Sequence, residues 1–224
     1  MYPSPSVATV YQTAIARHCG IDVEPELVRS TIGHALRGRS NSADLTTSEE
    51  AERSFWAGLI HSLCPSQDGF QSCFDELFEH FGSSDNWKCF PDVGGIVERL
   101  QEHGVKVAIA SNFDNRLNSV CDGLADLQFV DCRIVSSLVG YRKPAPQFFD
   151  AVVAQLGVDT QNILMVGDDV VNDIRGALKS GLQAALIDRD STITDSELPE
   201  TVVRINDPGQ IFGLIERSIA FDSA

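Results

Sequence analysis

Basic side chains are in short supply in this sequence, with 17 lysines and arginines against 32 aspartates and glutamates and a formal charge of −15. Sequence-independent binding to nucleic acid or to an anionic membrane surface needs basic patches, so this shortage argues against both kinds of partner. No apolar run approaches the roughly 20 residues that cross a bilayer. There is no C-x-x-C pair and no histidine at zinc-ligand spacing, although six cysteines are scattered along the chain (Cys19, Cys64, Cys73, Cys89, Cys121 and Cys132). No secretory signal precedes them, so they are expected to be reduced packing residues in a cytoplasmic protein. Repeats and low-complexity tracts are missing as well.

What is present is ordinary for a globular chain: 43% hydrophobic and 22% charged residues over 224 positions. That length suits one generous domain, or a domain with a smaller companion. The first part reads as helical. Val7, Val10, Tyr11, Ala14 and Ile15 recur at helical spacing up to Gly20, and Pro25 to Leu36 opens with favourable first-turn residues. Arg37 to Asp44 is polar and is expected to be a loop. A third helix follows the capping signals at Thr47 to Glu50, and Phe70 to Phe81 is a fourth. No strand is expected before residue 85.

From Trp87 onward strands and helices alternate. Helix is expected over Pro91 to His103, Asn115 to Leu124, Lys143 to Leu156 and Pro208 to Ile219. Strand is expected over Val105 to Ala110, Phe129 to Val135, Ile163 to Val166, Ala184 to Ile187 and Val202 to Ile205. Alternation with short connections means an α/β fold, a parallel sheet covered on both faces. The helical part is assigned to residues 1–87 and the α/β part to 88–224.

Asn162 to Gly181 organises the rest. A buried strand ends at Gly167, and Asp168, Asp169, Asn172 and Asp173 follow at its carboxyl end, where open α/β sheets build ligand sites. Carboxylates so close repel each other. Mg²⁺ resolves the conflict, since it takes one or two carboxylates together with waters and substrate phosphate; Asp168 and Asp173 are the expected ligands. The plainer alternative makes Asn172 and Asp173 helix caps and Asp169 a solvated turn residue.

Two more polar groups follow strands: Ser111 with Asn112, and Lys143. Each has its own plain reading, as helix caps and as a solvated lysine. Collected along one sheet edge they make a phosphate site, with Ser111 and nearby N–H groups donating to phosphate oxygens and Lys143 balancing charge.

The stretches AIASNFDNRL (109–118), GYRKPAPQFF (140–149) and MVGDDVVNDIRGA (165–177) together resemble the haloacid dehalogenase-like (HAD) hydrolase superfamily, in its helical-cap branch. The resemblance implies a Rossmannoid core preceded by an inserted helical cap. It also implies a Mg²⁺-dependent phosphatase acting on a small phosphorylated metabolite. Ser111 and Lys143 would be catalytic, Ser111, Asn112 and Lys143 substrate-binding, and Asp168 and Asp173 metal ligands. A 2-haloacid dehalogenase is a further reading, although that chemistry needs no metal.

The family's nucleophile is an aspartate in an Asp-x-Asp-x-Thr or similar motif, at the end of a first core strand that precedes the cap. Neither that strand nor that motif precedes the helical part here. Either Met1 is an internal methionine of a longer protein, which mass spectrometry of the native protein would decide, or the chain is a non-catalytic binder of a phosphometabolite or a protein. In both cases the chain as given is expected to be inactive. Two buried strand edges are expected to lack ladder partners unless another segment fills the gap.

Overall fold

In this computed structural model, which describes residues 1–65 and 68–215, local chemistry sets most helix ends in the first ninety residues. Strand β1 (Tyr2–Pro3) leads into α1 (Val7–Cys19), where Ser6 Oγ accepts from the Thr9 amide and Gly20 closes the helix at φ 65°. That left-handed backbone strains any residue carrying a Cβ, which is why glycine ends the helix. Helix α2 (Pro25–Ser40) runs through much of the expected loop. Arg37 and Arg39 in its last turn suit the negative helix end, and Arg39 finds a buried partner in Glu52. Helix α3 (Glu49–Leu63) starts at Ser48, whose hydroxyl accepts from the Ala51 amide, and α4 (Phe70–His80) follows. Strand β2 (Trp87–Lys88) pairs antiparallel with β1, Tyr2 opposite Lys88. This ladder includes a strand before residue 85, contrary to expectation; two residues are too few to leave a period-2 pattern.

The alternating part comprises α5 (Val93–Glu102), β3 (Ala108–Ser111), α6 (Arg116–Gly123), β4 (Cys132–Val135), a short α7 (Ser136–Val139) and α8 (Pro146–Leu156). Then come β5 (Leu164–Gly167), a π-helical segment (Val170–Arg175) running into α9 (Gly176–Lys179), β6 (Gln183–Ile187) and β7 (Val203–Ile205). A 3-10 turn at Pro208–Gln210 passes into helix; the expected reach to Ile219 lies outside the described residues. The class is α/β, as expected. Strands β5, β6 and β7 form a parallel sheet with Gly167 opposite Leu186, while β3 pairs with β4. Among the described residues no ladder joins β3 to β5.

The chain forms two compact units. The first contains Met1–Phe90, Ser111–Gln128 and Val135–Arg142; the second contains Pro91–Ala110, Phe129–Ile134 and the chain from Lys143 onward. The first unit buries Tyr11, Ile15, Val28, Ile60, Phe74 and Leu77 in one cluster. A Cys19–Cys64 disulfide joins the ends of α1 and α3 in that cluster, correcting the expectation of reduced cysteines. The two partners stand 45 residues apart, so sequence spacing carries no sign of the pairing. Cys73 and Cys121 are buried and lie outside that bridge, as packing residues do.

Buried charge in this unit is matched by side chains. Glu52, 3% exposed, accepts from Arg39 on both carboxylate oxygens, at 2.5 and 2.7 Å, and from the Thr47 hydroxyl at 2.5 Å. Arg116 grips Asp114 through Nε and Nη2, at 2.8 and 2.7 Å, and its Nη1 donates to the Phe78 carbonyl. Arg142 donates to the carbonyls of Arg39, Asp44 and Thr46.

The second unit is built around Phe148, Phe149, Ile174 and Leu186, all fully buried. Among the described residues no helix is long and apolar enough to cross a membrane.

Candidate metal and phosphate site

In the second unit the chain leaves β5 at Gly167 and turns at once into the π-helical segment. The turn is fastened by Asp169, whose carboxylate accepts from the Val171 and Asn172 amides at 2.8 Å each and from Asn172 Nδ2 at 2.7 Å. Asp169 is therefore the helix cap, half-buried, where a solvated turn residue or a capping Asn172 was the plainer expectation. The i→i+5 winding carries Asp173 back over the strand end. A Cβ at Gly167 would overlap the Asp173 carboxylate, so glycine is required for that approach.

Lys143 closes the arrangement. It is buried, and its Nζ lies 2.6 Å from Asp173 Oδ1 and donates to the Ala110 carbonyl at 2.7 Å. One ammonium thus ties the end of β3 to the turn after β5, across the place where no ladder forms. The other Asp173 oxygen, Oδ2, accepts from the Asp169 amide at 3.1 Å. Gly176 lets the helix approach Pro144 and Phe149, since a Cβ there would meet both side chains at 2.7–3.0 Å.

Asp168 is the odd member. It reaches solvent, yet protein atoms crowd its carboxyl. Burial first, and then the charges of Asp173 and Asp169, push its pKa above the ordinary carboxylate value, against the opposing pull of its own backbone amide and Lys143. Such a group is short of positive charge. A hard cation with oxygen ligands fits this donor set of two carboxylates at a strand end, because Mg²⁺ completes its shell with waters and phosphate. Among the described residues no group of three or more His, Cys, Asp or Glu side chains is placed to hold a metal.

Of the expected site residues, Lys143 and Asp173 are in direct contact, and Asp168 lies within their electrostatic reach. Ser111 and Asn112 belong to the first unit, Ser111 half-buried at the end of β3 and Asn112 exposed. The Ser111 hydroxyl has no hydrogen-bond partner among the described residues. What sequence reasoning missed is the support: Gly167 as the seat for Asp173, and Asp169 as the cap. The Gly-Asp-Asp run was a signal for both.

A second missed feature is a decoy. Residues 188–192 read Asp-Arg-Asp-Ser-Thr directly after β6, the nucleophile spacing in another place. Asp188 is buried, and both its oxygens are committed. Oδ1 accepts from the Thr192 amide and hydroxyl, while Oδ2 accepts from the Ile193 amide and lies 3.6 Å from Arg204. The Thr192 amide leads the interactions that hold this carboxyl below its ordinary value. It caps a turn.

The sequence matches the family described as haloacid dehalogenase-like hydrolase over residues 4–181. It is 26% identical over 204 residues to the mouse haloacid dehalogenase-like hydrolase domain-containing protein 3, covering 84% of this chain and 79% of that one. It is 35% identical over 109 residues to a ribulose-1,5-bisphosphate 5-phosphatase of Halopiger xanaduensis, covering 47% of this chain and 46% of that one. A crystal structure of a dehalogenase with an intermediate complex superposes with a TM-score of 0.72 at 17% identity, covering 94% of this chain and 91% of the other.

Proposed function

Because the chain belongs to the haloacid dehalogenase-like hydrolase family, we propose that its strand-end cluster is the Mg²⁺ and phosphate site of a phosphatase acting on a small phosphorylated metabolite. Asp168 and Asp173 would hold the ion, and Lys143 would offset negative charge on the phosphoryl oxygens. Bound Mg²⁺ supplies electrostatic stabilisation of a transferring phosphoryl group. The observation that carries this reading is the buried Lys143–Asp173 contact seated on Gly167, beside an Asp168 carboxyl on which burial and the neighbouring aspartates outweigh the pull of Lys143.

A sequence relative named as a phosphatase supports this choice. The likeness to a dehalogenase is one of fold, and a paired-carboxylate metal site is not something that metal-free chemistry requires. The one Asp-x-Asp-x-Thr pattern in the sequence, at Asp188, is locked in a turn and offers no free carboxylate as a nucleophile. We therefore expect these 224 residues to bind Mg²⁺ and phosphate but to turn over substrate negligibly.

The test is thermal unfolding with and without Mg²⁺ and inorganic phosphate, alongside hydrolysis of p-nitrophenyl phosphate. Mg²⁺ should raise the midpoint of the wild type by an amount equivalent to about 2.7 kcal/mol at a hundredfold excess over Kd. Asp173→Asn should lose the response. Hydrolysis above that of Lys143→Ala would refute the low-turnover expectation, halide release from 2-chloropropionate would favour the dehalogenase, and a wild type indifferent to Mg²⁺ would remove the metal site.

A further inference from the structure

The first unit contains a cavity of about 170 Å³, well beyond the water-sized voids of ordinary interiors. Its walls are largely rings, among them Tyr11, Trp56, Phe74, Phe81, Trp87 and Phe113. Tyr11 and Phe81 stand 5.9 Å apart, Phe81 and Trp87 6.4 Å, and Trp87 and Phe113 6.0 Å between centroids. These spacings and tilts suit aromatic contact, and leave ring faces and edges for a further ring. Leu36 also lines the cavity and is 42% exposed, which marks a mouth at α2.

The polar groups on the wall sort simply. Arg116, the one charged lining residue, is taken up by Asp114 and the Phe78 carbonyl. Trp87 Nε1 donates to the Phe81 carbonyl at 3.1 Å. Tyr11, in contrast, is 2% exposed, and its hydroxyl has no hydrogen-bond partner among the described residues. A buried tyrosine hydroxyl normally finds a partner. Burial raises its pKa well above the ordinary tyrosine value, against the pull of Arg116, so it remains a donor at neutral pH.

We propose that this cavity is a binding site for a neutral, compact ring carrying one hydrogen-bond acceptor, which takes the Tyr11 proton donor while the ring packs among Trp56, Phe81 and Trp87. The size fits: an apolar cavity of about 150 Å³ stays dry and binds benzene. A carboxylate ligand is disfavoured, because the only cation at the wall is already neutralised.

The test uses the full chain and three fluorinated probes, with ligand-observed fluorine NMR and tryptophan fluorescence as readouts. Trp56 and Trp87 are the only two tryptophans, and both line the cavity, so fluorescence reports on it directly. 4-Fluoroanisole should bind roughly threefold to tenfold more tightly than 4-fluorotoluene, the difference a single net hydrogen bond makes. 4-Fluorobenzoate should not bind. Tyr11→Phe should bring 4-fluoroanisole down to the level of 4-fluorotoluene. Leu36→Ala, at an exposed position, should keep the fold and admit 2-methoxynaphthalene, which the wild type rejects; it decides the matter should Tyr11→Phe fail to fold. Failure of the folded wild type to bind either neutral probe, equal binding of the benzoate, or an unchanged order of affinities in folded Tyr11→Phe would overturn the proposal.

Discussion

Glu52 in the first unit and Asp168 in the second are carboxylates pressed by surrounding protein, and their acidities move in opposite directions. Burial pushes both up. At Glu52 the hydrogen bonds from Arg39 and Thr47, with the charges of Arg39 and Arg142, outweigh burial, and the carboxyl ends below its ordinary value. At Asp168 the neighbours are Asp173 and Asp169, and they add to burial. The first cluster is complete within the chain. In the second, Lys143 is the one cation among the described residues brought against three aspartates, and Asp169 is satisfied by amides rather than by charge. The direction of the shift thus separates a buried acid that serves the fold from one that still has room for an external cation.

The largest effect that would break this contrast is expected from Glu52→Ala. Removing one partner of a buried pair leaves Arg39 uncompensated, at a cost of about 3–5 kcal/mol, read from urea unfolding at pH 7. The sign with pH follows from the lowered carboxyl. Ionised Glu52 adds stability above its unfolded value near 4.5, and that contribution fades as pH falls through the lower folded value. Wild type and Glu52→Ala should therefore converge in acid; a gap that widened below pH 4.5 would contradict the assignment.

A middle-sized effect is expected at Gly167. The Cβ of Gly167→Ala would overlap the Asp173 carboxylate, costing about 1–3 kcal/mol as overpacking does. Displacement of Asp173 should also remove the Mg²⁺-dependent rise in midpoint. A variant that lost stability yet kept its metal response would show that the seat matters for packing alone.

The contrast also explains what the sequence could reveal. The helix start at Ser48, the stop at Gly20 and the Gly167 strand end were legible, because each depends on neighbours within a few residues. The two-residue β1–β2 ladder and four-residue α7 were not, since neither is long enough to show a period. The Cys19–Cys64 bridge and the Arg39–Glu52 pair join residues brought together only by packing, and the pair helps explain why α2 outruns its expected end. In the acidic stretch the residue types were informative but their division of labour was not. Aspartate caps helices and binds cations with the same atoms, so only the π-helical winding reveals that Asp169 caps while Asp173 turns back to Lys143. The Asp188 run makes the converse point, a catalytic-looking spacing used entirely to hold a turn.

The smallest effect is the most discriminating, because its sign is opposite to that at Glu52. Asp168→Asn removes a negative charge that burial, Asp173 and Asp169 all oppose, and keeps nearly the same shape. In the presence of a chelator at pH 7 its thermal midpoint should lie slightly above that of the wild type. For an acid whose folded pKa is raised, the penalty of ionisation is present above that folded value and disappears as pH falls toward the unfolded one, near 3.8. The advantage of the variant should therefore shrink on acidification. It should also reverse on adding Mg²⁺, which can stabilise the wild type through the carboxylate and has less to gain from the amide. A variant less stable than wild type with chelator present would mean that Asp168 already has its counter-charge inside the protein, and the two clusters would then be alike.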